Sequence, residues 1–308
     1  MQITFRQMRL FLALADLGSV GAAARFMHVT QPTASTQLRE VTDAIGVPLY
    51  EVVSRRVRLT EAGEELARTA RAIVGEWESF RQRVDAIKGL TRGRLKVAVV
   101  STAKYFMPRL LGEFCQRHPD VEIALEVLNR DGVVARLREN VDDLYIMSMP
   151  PAGIAVESTP LMDNPLEIVA PAAHPLARKR SIDLRDLRDE RFILRERGSG
   201  TRLATDAHFR KLKFSPLVRL ELGSNEAIRE AVAGRLGLAV ISAHSLGRED
   251  PGIAVLKVKG FPIRSHWYVV RRKGTGLSPI AAAFQRHLVA HADAYHPGAS
   301  RGTRRAAA

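Results

Sequence analysis

Gln31, Ser35 and Arg39 recur at every fourth position of the stretch TQPTASTQLREV, with Pro32, Thr33 and Thr36 among them. On a helix such positions share one face. That face carries amide, hydroxyl and guanidinium groups and no acid. It suits hydrogen bonding to a polar, electronegative partner better than bond making. Two arginine-rich stretches add charge: Ser54-Arg55-Arg56, and RERGSGTR, which sets Arg195, Arg197 and Arg202 around Gly198-Ser199-Gly200-Thr201. The second has the glycines and small hydroxyls that can hold an anion on free backbone N–H groups before a helix. It has neither the framing of a P-loop nor the spacing of a dinucleotide fingerprint. No HExxH, GxSxG or paired-carboxylate signature accompanies these groups. The single cysteine, Cys115 in LLGEFCQRHP, can build neither a disulfide framework nor a thiolate metal site, and reads as a small packed residue. The expectation is a protein that is no enzyme, with no catalytic residues, no metal and no cofactor.

The chain has 308 residues, 46% of them hydrophobic, enough for more than one domain with a core of its own. Lys plus Arg number 47 against 33 Asp plus Glu, a net charge of +14. Such an excess points to nucleic acid, an anionic membrane, or phosphorylated and carboxylated ligands. The opening MQITFRQMRLFLALADLGSVGAAA imitates a signal peptide, but Asp16 stops the apolar run from Leu10 to Ala15. That run is shorter than the ~7–15 residues of a signal core, and no stretch approaches the ~20 apolar residues of a membrane span. A cytoplasmic chain with no membrane partner is expected.

Among the elements that must place the polar face, Met8, Phe11, Leu12 and Ala15 follow one helical stripe, and Leu10, Leu14 and Leu17 a second. Gly18 ends that helix and Ser19 caps the next, Val20 to Met27, in which Ala22, Ala23 and Ala24 allow close approach and Phe26 is the expected bulky anchor. Thr30 caps a third helix from Gln31 to Ile45, with Pro32 in its first turn and Ala34, Leu38, Val41 and Ile45 as its apolar stripe. A helix entering a DNA major groove must offer hydrogen-bonding side chains to base edges and keep acids off its leading end, as this one does. In LYEVVSRRVRLT, Val57 and Leu59 alternate with Arg56 and Arg58, the period of a strand with one wet face. The arginines at its tip suit phosphate or minor-groove contact. The plainer alternative is a small three-helix structural domain with a solvated basic hairpin.

The run from Gly18 to Leu66 resembles the winged helix-turn-helix of LysR-type transcriptional regulators, with matches at Ser19, Ala23, Ala24, Gln31, Pro32, Ser35, Gly46, Leu49, Thr60 and Gly63. The resemblance implies base and phosphate contacts from Gln31, Pro32 and Ser35, joined by Thr33, Thr36 and Arg39 on the same helix, and from Arg56 on the wing. Two positions depart from the family pattern. Its usual Leu-Glu late in the recognition helix is Val41-Thr42, and the Arg common on the first wing strand is Val52. Either Arg55 compensates or the grip on the backbone is weaker than usual.

From Thr60 a long helix is expected to run to about residue 92. Along it Leu66, Ala70, Ile73, Trp77, Phe80, Val84 and Ile87 recur as a heptad seam, with polar residues on the other sides. About 29 residues make a rod of roughly 43 Å. Such a rod pairs two subunits, and similar linker helices occur in the resembled family. Dimerisation is therefore assigned to Leu66, Ile73, Trp77, Phe80, Val84 and Ile87, with a tetramer as the further expectation. Beyond Gly93 strands and helices alternate, the pattern of an α/β region with parallel strands. The expected architecture is a winged head over residues 1–60, a linker helix over 61–92, and an effector-binding region over 93–295. That region has two α/β subdomains, 93–164 with 266–295 and 165–265, resembling a periplasmic-binding-protein fold. A disordered tail is expected over 296–308.

Ligands of such folds sit at strand ends and helix starts between the subdomains. Four segments qualify: Ser101, Thr102 and Lys104; Asn129 and Arg130; Arg197, Gly198, Ser199, Gly200, Thr201 and Arg202; and Ser224 with Asn225. The positive charge suits a small anionic effector, and Lys104, Arg197 and Arg202 are the expected charges on it. DDLYIMSMPP, LEIVAPAAHPLA and FILRERGSGTR look similar to the CbbR subgroup, regulators of Calvin-cycle operons, whose resemblance implies phosphorylated effectors or NADPH. The expected partners are promoter DNA, a second copy of the chain, the effector and RNA polymerase. Regulation of another metabolic operon by a carboxylate effector, and a solute-binding protein, are the alternatives.

Overall fold

The computed structural model describes residues 2–53, 56–87, 93–246 and 251–295, without the side chains of 82 and 85–87. The expectations for Arg55, for the Ile87 side chain and for the tail over 296–308 lie outside the described residues. By its contacts the chain forms two units, Met1–Leu90 with Glu139–Val141, and Thr91–Arg138 with Asp142–Ala308.

The first unit begins with α1 (Phe5–Leu17), α2 (Val20–Phe26) and α3 (Gln31–Ile45). Each starts at a hydroxyl that accepts an otherwise unpaired N–H: Thr4 from Gln7, Ser19 from Ala22 and Thr30 from Thr33. Such caps contribute about 1 kcal/mol apiece. Leu10, Phe11, Leu14, Ala23, Ala24, Ala34, Leu38 and Val41 form the core. Phe26 is not the anchor expected of it and is 61% exposed. In α2, positions 20, 23, 24 and 27 turn inward, and position 26 falls off that stripe. Leu17 is likewise exposed at the end of α1.

Strands β1 (Tyr50–Val53) and β2 (Arg56–Leu59) pair antiparallel, with Tyr50 opposite Leu59 and Val53 opposite Arg56. The Val57 N–H donates to the Gly18 carbonyl at 3.0 Å, tying this wing to the end of α1. Helix α4 (Glu61–Ile87) starts at a tight junction. The Thr60 hydroxyl donates to the Pro48 carbonyl at 2.7 Å and accepts from the Gly63 N–H at 3.1 Å, while the Thr60 N–H donates to Leu49 at 3.1 Å. Gly63 lies so close that a Cβ there would stand 1.9 Å from the Leu49 carbonyl oxygen.

The second unit holds two five-stranded sheets. The first contains β3 (Gly93–Val100), β4 (Val121–Leu128), β5 (Leu144–Met147), β6 (Val156–Asp163) and β12 (His266–Arg272), in the order β4-β3-β5-β12-β6. The second contains β7 (Leu166–Pro171), β8 (Arg191–Arg195), β9 (Leu217–Leu222), β10 (Leu238–Ser242) and β11 (Ile253–Val255), in the order β11-β7-β10-β8-β9. Helices α5 (Met107–Arg117), α6 (Arg130–Glu139) and α9 (Pro279–His291) serve the first sheet, and α7 (Gly200–Lys211) and α8 (Asn225–Ala233) the second.

The two α/β subdomains are present, but the strands are not all parallel. β12 runs antiparallel to β5 and β6, and β7 runs antiparallel to β10 and β11. These are the strands on which the chain passes between sheets, and they reverse direction to do so. Strand β6, with Pro160 and several exposed positions, carries no alternation and sits at an edge, where a proline costs no ladder bond. In the second sheet both faces are covered. Ile168, Phe192 and Leu194 pack on one side, Val169, Ile193 and Ile241 on the other, so the inner strands β7, β10 and β8 read as nearly continuous apolar runs, whereas the edge strand β9 does not. Where the chain crosses, the Asn164 N–H donates to the Ser265 carbonyl at 2.8 Å and the Ser242 hydroxyl to Asn164 Oδ1 at 2.6 Å.

The junction at Gly63 generates a paired expectation. Gly63→Ala should destabilise the first unit by about 1–3 kcal/mol or more, because backbone atoms must part. Gly75→Ala, in the same helix with nothing within 4 Å of its added Cβ, should stabilise it by up to ~1 kcal/mol. Urea unfolding followed by Trp77 fluorescence measures both, and equal midpoints would refute the steric account.

Candidate functional site

In the first unit the outer face of α3 is built by what its inner face buries. Ala34, Leu38 and Val41 are inward, which leaves Gln31, Pro32, Thr33, Thr36 and Arg39 exposed and Ser35 half-buried. Gln31 Oε1 rests over Gly21 of α2, where an added Cβ would be 3.3 Å away. The first turn contains no acid. Glu40, further along, is held by the Gln7 side-chain amide at 2.9 Å. Arg25, Arg39, Arg56 and Arg58 are exposed around this face. The arrangement offers neutral donors and acceptors in the middle and mobile positive charge at the margins, the chemistry of base edges flanked by phosphates.

Along α4 the heptad seam divides. Ala67 and Ala70 are buried in the core of the first unit and Leu66 packs against it, so Leu66 serves its own unit instead of a partner. Ile73, Trp77 and Phe80 stay exposed, at 42%, 51% and 47%. Trp77 has Phe5 at 6.0 Å and Phe80 at 5.5 Å between ring centres. Val84 is half-buried.

In the second unit the ends of β3 and β8 meet across the cleft expected between the two sheets. Arg195, at the end of β8, is almost wholly buried. Its Nε and Nη2 donate to Glu196 at 2.8 and 2.9 Å, its Nη1 to Asn225 Oδ1 at 2.9 Å, and its Nη2 across the cleft to the Ser101 hydroxyl at 3.1 Å. Asn225 is buried at the start of α8. Its Nδ2 approaches the Tyr105 hydroxyl but makes no hydrogen bond of ordinary geometry. Thr102, Ser199 and Thr201 are buried nearby on the segments that meet here.

A second bridge spans the same cleft. Glu226 accepts from Lys104 Nζ at 2.9 Å, from the Tyr105 hydroxyl at 2.7 Å and from the Ser224 hydroxyl at 2.8 Å. Burial opposes ionisation of Glu226, but the bonds from Lys104 and Tyr105 outweigh it and hold the carboxyl down to about 2. Burial, and then donation to Glu226, push the Tyr105 phenol well above its usual range. A third approach is made by backbone. The Asp131 N–H donates to the Gly198 carbonyl at 3.2 Å, and Gly198, at φ +86°, lies so near Asp131 that a Cβ would stand 2.5 Å from its carboxylate.

Several expected ligands are otherwise engaged. Arg202 does not offer its charge to the cleft: Nε holds Asp206 at 2.9 Å, and Nη1 holds Glu221 at 2.9 Å and the Arg195 carbonyl at 2.8 Å. It braces α7 against β8 and β9. Lys104 reaches the cleft already paired with Glu226. Asn129 Oδ1 caps α6 through the Gly132 N–H at 2.9 Å, and Arg130 Nε donates to the Met149 carbonyl at 3.1 Å. Ser224 is the cap of α8. Arg197 is exposed. Gly200 sits close to Ser148, just past β5, and to Arg130 at the start of α6. Glu226, Tyr105, Glu196 and Asp131 escaped the sequence reading. The one legible sign was Glu226 beside the Ser-Asn helix start.

The family described as bacterial regulatory helix-turn-helix protein, lysR family, matches residues 5–64, and the LysR substrate binding domain matches residues 88–293. The HTH-type transcriptional activator CmpR of Synechocystis is 40% identical over 94% of this chain and 96% of its own length. The RuBisCO operon transcriptional regulator of Acidithiobacillus ferrooxidans is 42% identical over 93% and 94%. The structure of the Synechocystis CcmR regulatory domain in complex with 2-PG is 47% identical, with a TM-score of 0.64 over 65% of this chain and 98% of that one.

The Glu226 bridge carries a pH signature. A carboxyl lowered in the folded state adds stability above its ordinary value of 4.5 and loses it as the pH falls toward about 2. The stability advantage of the wild type over Glu226→Gln should therefore shrink steadily through that window in urea unfolding. A difference that does not vary with pH there would show that the carboxylate is not held by these donors.

Proposed function

This chain belongs to the LysR family of bacterial transcription regulators, and on that premise we propose that it controls a carbon-fixation operon in response to a small phosphorylated metabolite. What carries the reading is the 47% identity across nearly all of a regulatory domain whose structure is in complex with 2-PG. The cleft supplies a physical reason to extend it. Among the described residues Asn225 Nδ2 is a buried donor whose approach to the Tyr105 hydroxyl falls short of an ordinary hydrogen bond, and a buried donor left unsatisfied costs about 1–3 kcal/mol. Ser101, Thr102, Ser199, Thr201 and the free N–H groups at the start of α7 add donors around it, which suits phosphate oxygens. The ligand exchanges with Glu226 for Lys104 and Tyr105, so binding trades an internal cross-cleft bridge for one through the ligand. Arg197 lies at the margin as the remaining charge.

In the head, α3 enters the major groove with Gln31 and Ser35 toward base edges and Pro32, Thr33, Thr36 and Arg39 against the strands. The wing, with Arg56 and Arg55, lies along the backbone. Two copies pair through Ile73, Trp77 and Phe80, continued by Val84 and Ile87, and set two heads on half-sites about one helical turn apart. Pairing of dimers into a tetramer and contact with RNA polymerase complete the assembly in the cytoplasm.

On a carbon-fixation promoter, Gln31→Ala should lose roughly 1–3 kcal/mol of specific binding and leave non-specific binding nearly unchanged. Arg56→Ala should weaken binding to all sequences and lower the salt slope by about one. Gel shifts over a salt series separate the two, and equal loss of both binding modes in Gln31→Ala would remove it as a base reader.

For the cleft, calorimetry with 2-phosphoglycolate, a dicarboxylate and a neutral sugar tests the ligand class. Glu226→Gln, which frees Lys104, should tighten phosphate binding by about tenfold, and Asn225→Leu should weaken it similarly. Neutral sugars binding as well as 2-phosphoglycolate would overturn the anion. A dicarboxylate binding better would move the effector to the carboxylate class.

A further inference from the structure

We propose that the far end of the second sheet carries another binding site, for a small aliphatic amino acid in its zwitterionic form. Where β7 ends and β8 and β10 begin, at the edge opposite the cleft, a cavity of about 270 Å³ opens. Pro171, Ala173, Pro175 and Leu238 give it apolar walls, and His174, Glu190 and Arg235 give it polar ones.

The polar lining carries both signs of charge, the Glu190 carboxylate and the Arg235 guanidinium. His174 Nδ1 accepts the Leu176 N–H at 3.2 Å, so the donor of this ring is Nε2, and it faces Glu190 Oε1 at 3.3 Å. That contact holds the Glu190 carboxylate by one oxygen. Arg235 is exposed, and its guanidinium has no hydrogen bond or ion pair among the described residues. Its backbone is in the left-handed region at φ +61°, where a non-glycine residue is strained. The surrounding loop enforces this. The Arg235 N–H is tied to the Val232 carbonyl at 2.9 Å, and Gly237 packs so tightly that a Cβ would meet the Arg191 carbonyl oxygen at 2.4 Å.

A cavity with one anchored carboxylate and one guanidinium that has no partner among the described residues repels simple anions at the first and simple cations at the second. A ligand with an ammonium for Glu190 and a carboxylate for Arg235 satisfies both, and the proline and leucine walls suit a short aliphatic side chain. This chemistry differs from that of the cleft, where the unsatisfied group is a neutral donor. The two ends are nevertheless joined by shared elements. β8 runs from Arg191 to Arg195, α8 from Asn225 to Ala233, and β10 from Leu238 to Ser242, which bonds Asn164 at the crossover. Each is a rigid piece of roughly 14–17 Å with one end at the cavity and the other in the cleft or the crossover.

The test is calorimetry of the full-length protein with L-valine and L-leucine, with acetate and methylamine as the separate halves. Heat is expected from the amino acids and not from the halves. Glu190→Gln and Arg235→Ala should each weaken binding by about tenfold or more, while thermal unfolding shows them folded. Asn225→Leu, in the cleft, should leave amino-acid binding unchanged. No heat with either amino acid overturns the site, as does unaltered affinity in both cavity variants. Acetate or methylamine binding as well as valine overturns the zwitterion.

Discussion

The second unit is organised around one buried guanidinium. A charge as sequestered as that of Arg195 costs several kcal/mol unless it is paired and its fork filled. Its partners come from three places in the chain: Glu196 beside it, Asn225 at the start of α8, and Ser101 beyond the end of β3. Two of them share the subdomain of Arg195 and the third belongs to the other. The distance between sheets is therefore not free. The backbone contact from Asp131 to Gly198 and the Lys104–Glu226 bridge act at neighbouring points, so a set of polar contacts closes the cleft, beside the ring contact of Phe106 with His244. Polar closure is reversible at modest cost, because each bond broken can be replaced by one to water or ligand.

For the anionic effector proposed above, a chain of net charge +14 would then need no bare cationic pocket. Arg195 is matched by Glu196, Lys104 by Glu226, and Arg202 by Asp206 and Glu221. A pocket of unpaired cations would hold any small anion. One whose cations already have carboxylate partners admits only a ligand whose oxygens do better, and the margin is set by what the displaced carboxylate loses. Selectivity then arises from exchange, with the internal pair acting as the competitor.

The head was legible nearly to the residue because its signals are local. Caps at Ser19 and Thr30, stops at Gly18 and Gly46, and one apolar stripe define α2 and α3 within a few residues of sequence. Phe26 was misread because two stripes were possible in a seven-residue helix, and alanines took the one that faces inward. The cleft was legible as a set of segments, since strand ends and helix starts are marked by Ser, Thr, Asn and Gly. Which charges stay available was not legible. Arg202 is separated from Glu221 by 19 residues and Lys104 from Glu226 by 122, and only the packed sheets bring them together. Strand β6 escaped for the converse reason: an edge strand with Pro160 needs little apolar periodicity to hold its place beside β12.

In the first unit the same kind of long-range tie makes a rigid connection out of separate elements. The wing is bonded at Val57 to Gly18, the residue that ends α1, and at Thr60 to Leu49 and Pro48 at its other side. Helix α4 begins in that same turn, pressed onto the Leu49 carbonyl at Gly63, and buries Ala67 and Ala70 in the core that supports α3. Among the described residues, these bonds join α3, the two wing strands and the first turns of α4. A rotation of α4 must therefore carry the recognition helix and the wing with it as one body. The stripe of Ile73, Trp77 and Phe80, exposed further along the same helix, is then more than an adhesive surface. A second copy paired there, as proposed above, would also set the angle at which α3 and Arg56 are presented, and affinity for a two-part DNA site would depend on the geometry of that pairing as much as on the side chains that touch the bases.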